Sequence, residues 1–186
     1  MAKTDRIIEN AVSGERIEVV RTAAETGGEL FSFELFLKAG GRVPAAHAHP
    51  EQQERFTVLE GRVRFRVGIH SRLARAGDTM TVPAGTSHSF ANVGTHTAHL
   101  LVEVRPALQM EELLATGAEL AQTNGRRRQF PAPLDLALFL QEFRREVAVP
   151  VLPAALVKAI VAPLAWLARS RGLDASYRSL RASLRE

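Results

Sequence analysis

The sequence predicts a mainly β protein, a barrel or sandwich of short strands, followed by an α-helical extension at its C-terminal end. Three observations predict this. Short apolar or alternating runs recur at close spacing through the first hundred residues, each bounded by turns containing glycine or proline. After Pro106 the pattern changes to longer stretches rich in Leu and Ala at helical spacing. Charge changes in the same region: residues 1–124 hold 13 Lys and Arg against 15 Asp and Glu, a net −2, whereas residues 125–186 hold 11 against 5, a net +6.

The elements follow in order. Residues 16–22 (RIEVVRT) and 30–38 (LFSFELFLK) read as strands separated by the turn-forming Thr26-Gly27-Gly28, and Gly40-Gly41 ends the second. Residues 58–67 contain VLEG and then RVRFRV. There Val63, Phe65 and Val67 alternate with Arg62, Arg64 and Arg66, so one face is apolar and the arginines form a solvated outer face. Ala76-Gly77-Asp78 and Pro83-Ala84-Gly85 are turns flanking a short strand at 79–82, and residues 87–92 and 98–104 are again strand-like. Residues 106–122 read as a helix with proline near its start, ended by Asn124-Gly125. Residues 133–147 form a second, amphipathic helix, and residues 152–170 a third, very apolar one containing Pro153 and Pro163. The chain thus divides into a β body, 1–105, and a helical extension, 106–186, packed on the barrel or on a partner subunit.

A chain of 186 residues suits one domain with a small appendage. With no cysteine, disulfides and thiolate ligands are excluded, so any metal must be held by His, Asp, Glu, backbone or water. Residues 1–10 contain no apolar core of a secretory signal, and a cytoplasmic location is expected. The basic run Arg126–Arg128 reads as a solvated loop. No nucleic-acid motif accompanies the basic tail, and with one Tyr and one Trp there is little to stack bases on, so no nucleic-acid partner is expected. Residues 147–168 are about as long as the ~20 apolar residues of a membrane span. Lys158 near their middle costs roughly 2.5–3.5 kcal/mol on insertion, and Pro150, Pro153 and Pro163 interrupt them. Packing on the barrel or a homodimer partner is the favoured expectation. Peripheral contact of 147–186 with anionic lipid, through Arg169, Arg171, Arg178, Arg181 and Arg185, comes second, and a full span third.

Four residues carry the chemistry. His47 and His49 are two apart, and on extended backbone residues i and i+2 project to one face. Glu54 lies beyond a short connection and can return on the next strand, and His88 follows a Pro-Ala-Gly-Thr turn. Three imidazoles and a carboxylate suit Fe, Mn, Ni, Cu, Co or Zn as a divalent ion. A His-x-His pair alone is a weak signal, but its surroundings add to it. In GRVPAAHAHPEQQERFTVLEG, Gly41, His47, His49, Glu54 and Gly61 stand at the spacings of the first signature motif of the cupin superfamily. In GDTMTVPAGTSHSFAN, Gly77, Pro83, Gly85, His88 and Asn92 stand at those of the second, with fifteen residues, 62–76, between the motifs. The chain therefore resembles the cupins over roughly residues 29–106, and it looks like small bacterial single-cupin proteins with a helical C-terminal extension.

The resemblance implies a double-stranded β-helix, or jelly-roll barrel, holding one divalent transition metal ion per chain through His47, His49, Glu54 and His88. The motif allows three or four residues before its Glu, and the distance to Gly61 favours Glu54 over Gln53. Glu54 is also the candidate catalytic residue, able to move a proton if it leaves the metal. Asn92 reads as closing a turn through backbone hydrogen bonds rather than touching substrate. His70 and His96 read as exposed turn residues, and the face of His99 is left open. Phe56, Val58, Phe65 and Phe90 read as core or pocket wall. The expected function is a mononuclear metal-dependent enzyme, dioxygenase- or oxidoreductase-like, acting on a small organic molecule. The alternatives are a non-catalytic metal- or small-molecule-binding cupin and a membrane-associated one. Cupins are often dimers, so a homodimer is expected.

Overall fold

The computed structural model describes residues 6–43, 45–122, 131–150, 154–175 and 179. The predicted ends at Asn124-Gly125, the run Arg126–Arg128, Pro153, Arg178, Arg181 and Arg185 lie outside the described residues. Among the described residues nine strands form two antiparallel sheets. One contains β1 (Ile7–Asn10), β2 (Glu15–Arg21), β3 (Phe31–Leu37), β9 (Ala98–Arg105), β4 (Gln53–Glu60) and β7 (Thr79–Val82), in that order across the sheet. The other contains β6 (His70–Arg75), β5 (Arg62–Val67) and β8 (His88–Asn92). The strands wind as a double-stranded β-helix, and after them come the helices α1 (Met110–Gln122), α2 (Pro133–Glu142) and α3 (Ala154–Ser170).

The core follows the period of two. Phe33, Leu35 and Leu37 on β3 and Leu100, Val102 and Val104 on β9 are buried in register, while Glu34, Phe36 and His99 share the opposite face. Phe56 on β4, paired with Val102 in the same sheet, meets Phe65 and Phe90 of the smaller sheet, the three rings standing 5.2–5.8 Å apart. Each such buried ring is worth about 1.5–3 kcal/mol over exposure. As predicted, Arg62, Arg64 and Arg66 point to solvent while Val63 and Phe65 point in. Gly61 shows why one motif position is glycine. Its φ is +88°, and a Cβ there would lie 2.9 Å from the Ala98 Cα, so both the conformation and the close approach of β9 exclude a side chain.

Several boundaries differ from expectation. β1 and β6 are new. β1 is only four residues long, and on β6 only Ala74 is buried, so neither shows the apolar alternation that marks a strand. β4 begins at Gln53 rather than at 58, because its first inward position is taken by Glu54 and not by an apolar residue. α1 begins at Met110, four residues late. The Ala107 N–H donates to Gly28 (3.0 Å), and the Gln52 side chain donates to the carbonyls of Pro106 and Ala107 (3.0 Å each), so this segment is tied to the barrel before the helix starts. α2 stops at Glu142, and the residues assigned to its last turn form a turn and then an extended strap. Val147 and Val149, both β-branched, flank Ala148, which exchanges hydrogen bonds with Ala48 on the barrel (3.1 and 2.8 Å). α3 packs against α2 and leaves Leu156, Ile160 and Trp166 exposed, the last by 70%. Among the described residues no helix is long and apolar enough to cross a membrane.

Candidate metal centre

Three elements deliver the cluster. The segment before β4 lies against β8, where His47 and His88 exchange main-chain hydrogen bonds as an isolated antiparallel bridge (3.0 and 2.8 Å). His49 follows two residues later, with the Gly85 N–H donating to its carbonyl (2.8 Å), so the turn before β8 is fastened to the same segment. Glu54 is the second residue of β4, paired with Val104 on one side and Val82 on the other. The three imidazole rings stand 4.4–5.1 Å apart, centre to centre, and each offers a ligand nitrogen within 4.8 Å of the others. His49, Glu54 and His88 are 4%, 6% and 1% exposed.

All three imidazoles are oriented alike. Nδ1 of His47 donates to the Ala45 carbonyl (3.2 Å), Nδ1 of His88 to that of Thr86 (3.1 Å), and Nδ1 of His49 to that of Glu146. A carbonyl accepts only from N–H, so each ring carries a proton on Nδ1, and in its neutral form presents the lone pair of Nε2. Nε2 of His88 then lies 2.8 Å from Oε2 of Glu54, and Nε2 of His49 lies 3.3 Å from the same oxygen. None of these three buried atoms has a hydrogen-bond donor. Acceptors so close repel unless a proton or a cation lies between them. Ligand atoms held at 2.0–2.2 Å around one transition-metal ion, at right angles, stand about 3 Å apart, so the donor set fits such an ion.

Burial, with the neighbouring imidazoles of His49 and His88, pushes His47 down to about 4, so it is neutral at pH 7. For Glu54 burial works upward, but His49 and His88 outweigh it and hold the carboxyl well below the ordinary carboxylate range. Burial works downward on His49, and Glu54 with the Glu146 carbonyl outweighs it, so its pKa is raised.

His47, His49 and His88 lie close together, and Oε2 of Glu54 lies beside Nε2 of His49 and of His88. Asn92 is 2% exposed and closes a turn. Its amide donates to the carbonyls of Leu37, Lys38 and His96 (2.8–3.1 Å), and its oxygen accepts from the Gly94 N–H (2.8 Å). His99 faces away from the core, stacked on Phe36 at 4.3 Å and 3.4 Å from Glu34. His70 and His96 are exposed, although His70 opens β6 rather than lying in a turn.

Two features were not legible in the sequence. One is the Glu146 carbonyl, which orients His49 from 97 residues away and belongs to the helical extension. A second set of contacts holds it in place: a two-pronged ion pair from Arg145 to Glu51 (2.7 Å at its shortest) and the Ala48–Ala148 bridge. The other is a chamber of about 470 Å³ between barrel and helices, bordered by His47, His49 and Glu54 and otherwise almost wholly apolar. It includes Glu15. The signal for Glu15 lay in the alternation of β2, which puts it on the inward face with Ile17 and Val19.

Comparison with known proteins gives one family match: residues 33–104 match the cupin domain. Quercetin 2,3-dioxygenase of Bacillus subtilis is 31% identical over 84 residues, 44% of this chain and 24% of that protein, so the chain spans about a quarter of this curated relative. Among solved structures, an RmlC-like cupin from Shewanella frigidimarina shares 19% identity at a TM-score of 0.50, covering 58% of this chain and 89% of that one. A protein described as a predicted oxalate decarboxylase from Thermotoga maritima shares 20% identity at a TM-score of 0.50, covering 57% and 99%. At these identities the two structures bear on the fold alone.

Proposed function

The chain carries a domain of the cupin superfamily, and on that premise we propose that it is a mononuclear metal-dependent enzyme, dioxygenase-like, acting on a small organic molecule. The observation that carries the proposal is the common orientation of His47, His49 and His88, with three Nδ1 atoms on carbonyls, ligand nitrogens that converge, and Nε2 of His49 and His88 beside Glu54. Metal sites hold their imidazoles in this way, the second nitrogen bound to a carbonyl that fixes ring and tautomer. His47, His49, Glu54 and His88 would hold one divalent ion of Fe, Mn, Ni, Cu, Co or Zn. Such an ion supplies Lewis acidity or, if redox-active, a place for dioxygen to react.

The protein's own groups do the rest. The apolar chamber admits the substrate and keeps water from it. Glu54, whose Oε2 lies 2.8 Å from Nε2 of His88, is the group able to take a proton from a substrate hydroxyl once it leaves the metal. The relative named as a quercetin dioxygenase supports an enolic or phenolic substrate class. The division at residues 105 and 106, a cytoplasmic location and pairing of two copies belong to the same reading. The exposed Leu156, Ile160 and Trp166 of α3 offer apolar area for the pairing, and the same face would serve a peripheral lipid contact.

The test is dioxygen uptake by chain loaded with each redox-active metal in turn, using a flavonol as the enolic probe. Uptake above the protein-free rate, lost on chelation, is expected. A metal-replete chain that consumes no dioxygen with any enolic probe would replace the enzyme reading with that of a ligand-binding cupin.

A further inference from the structure

We propose that the chamber between barrel and helices binds a slender, mostly apolar molecule, with an oxygen-donor head at the histidine cluster and a hydroxyl at its far end held by Glu15. The head-group part rests on the metal-centre reading above. The far end rests on observations of its own.

The chamber is long for its volume. α1 borders it from Met110 to Ala121, about 16 Å at 1.5 Å per residue. The register of the large sheet gives a similar span. Glu54 stands opposite Val104, and Val104 opposite Phe31, whereas Glu15 stands opposite Leu37. Those two rows are six residues apart along β3, about 20 Å at 3.3 Å per residue. About 470 Å³ over such a length has room for one extended chain or a flat ring system.

The two ends are polar and the middle is not. Among the described residues of the lining, besides His47, His49 and Glu54, only Asn10 and Glu15 bring polar side chains to it. The Asn10 oxygen is engaged by the N–H groups of Val12 and Ser13 (3.0 and 3.3 Å). Glu15 accepts a hydrogen bond from the Ser13 hydroxyl, and burial pushes its carboxyl upward. Glu15 is half-buried on the inward face of its strand, and the partial loss of water around its carboxyl costs stability. A ligand hydroxyl donating to it would offset that cost.

A second, independent observation comes from α1. Gly117 sits in the helix interior, where glycine is less stable than alanine, and it borders the chamber. A Cβ there would lie 3.9 Å from Phe139, an ordinary contact, so packing does not demand glycine. What the missing side chain preserves is space in the chamber.

Dodecanoate and 12-hydroxydodecanoate are suitable probes, titrated calorimetrically into metal-loaded full chain whose metal content is counted on the same sample. Both are expected to bind, the hydroxylated probe about fivefold more tightly, the worth of one hydrogen bond. Glu15→Leu should abolish that preference and leave dodecanoate within about twofold. Gly117→Leu should weaken both probes at least tenfold while the melting point holds or rises, because leucine favours the helix and fills the chamber. No binding to a metal-replete chain, or a preference untouched by Glu15→Leu, would overturn the proposal. A chain that lacks metal yet shows the Glu15-dependent preference would support the chamber and sink the metal reading alone.

Discussion

His88→Ala is expected to take the metal content of the purified protein from about one equivalent per chain to less than a tenth, as read by mass spectrometry of the untagged protein. The reason is position as much as chemistry. His88 is 1% exposed, and its Nε2 lies 2.8 Å from Glu54. Removing the ring takes away one of three imidazoles and leaves a buried carboxylate with half its imidazole neighbours, and an uncompensated buried charge typically costs about 3–5 kcal/mol. The main-chain bridge between positions 47 and 88 does not depend on the side chain, so the barrel itself is expected to persist by circular dichroism. His70→Ala, an exposed imidazole outside the cluster, is the matched control and should keep its metal. Equal metal in His88→Ala and wild type would place the ion elsewhere.

Ala148→Pro is expected to weaken metal binding about 10- to 100-fold although it touches no ligand, the range found when the partners of ligating groups are disturbed. Proline removes the N–H that donates to the Ala48 carbonyl (2.8 Å) and so loosens the strap that holds the Glu146 carbonyl against His49. Competition with a chromophoric chelator measures this directly. Arg145→Ala, which removes only the exposed ion pair to Glu51, should change affinity little, because such pairs contribute roughly 0–1 kcal/mol. An Ala148→Pro chain that folds and binds metal as tightly as wild type would separate the helical extension from the centre.

The local chemistry of the site was legible because it is written in contiguous motifs. His47, His49 and Glu54 lie within eight residues, and Gly61 and Gly85 mark backbone with φ of +88° and +74° that other residues avoid. The strands with one apolar face, such as β3, β5 and β9, declared themselves by alternation. β6 did not, because all but one of its residues face solvent, and the start of β4 did not, because Glu54 occupies an inward position where an apolar residue would have signalled a strand. The role of the extension was beyond sequence reading for a different reason. The Glu146 carbonyl acts through the backbone, which every residue shares, and across 97 positions. The helical spacing of residues 133–147 likewise concealed that Val147–Val149 leave the helix to pair with the barrel, a tertiary contact overriding local propensity.

The central claim is that His47, His49, Glu54 and His88 hold a single ion. X-ray absorption at the metal edge of the purified wild-type chain tests it most directly. The account predicts one metal per chain whose inner shell shows the scattering of three imidazoles with oxygen completing it. A chain that binds no metal after reconstitution, or a metal whose shell lacks imidazole, would contradict it.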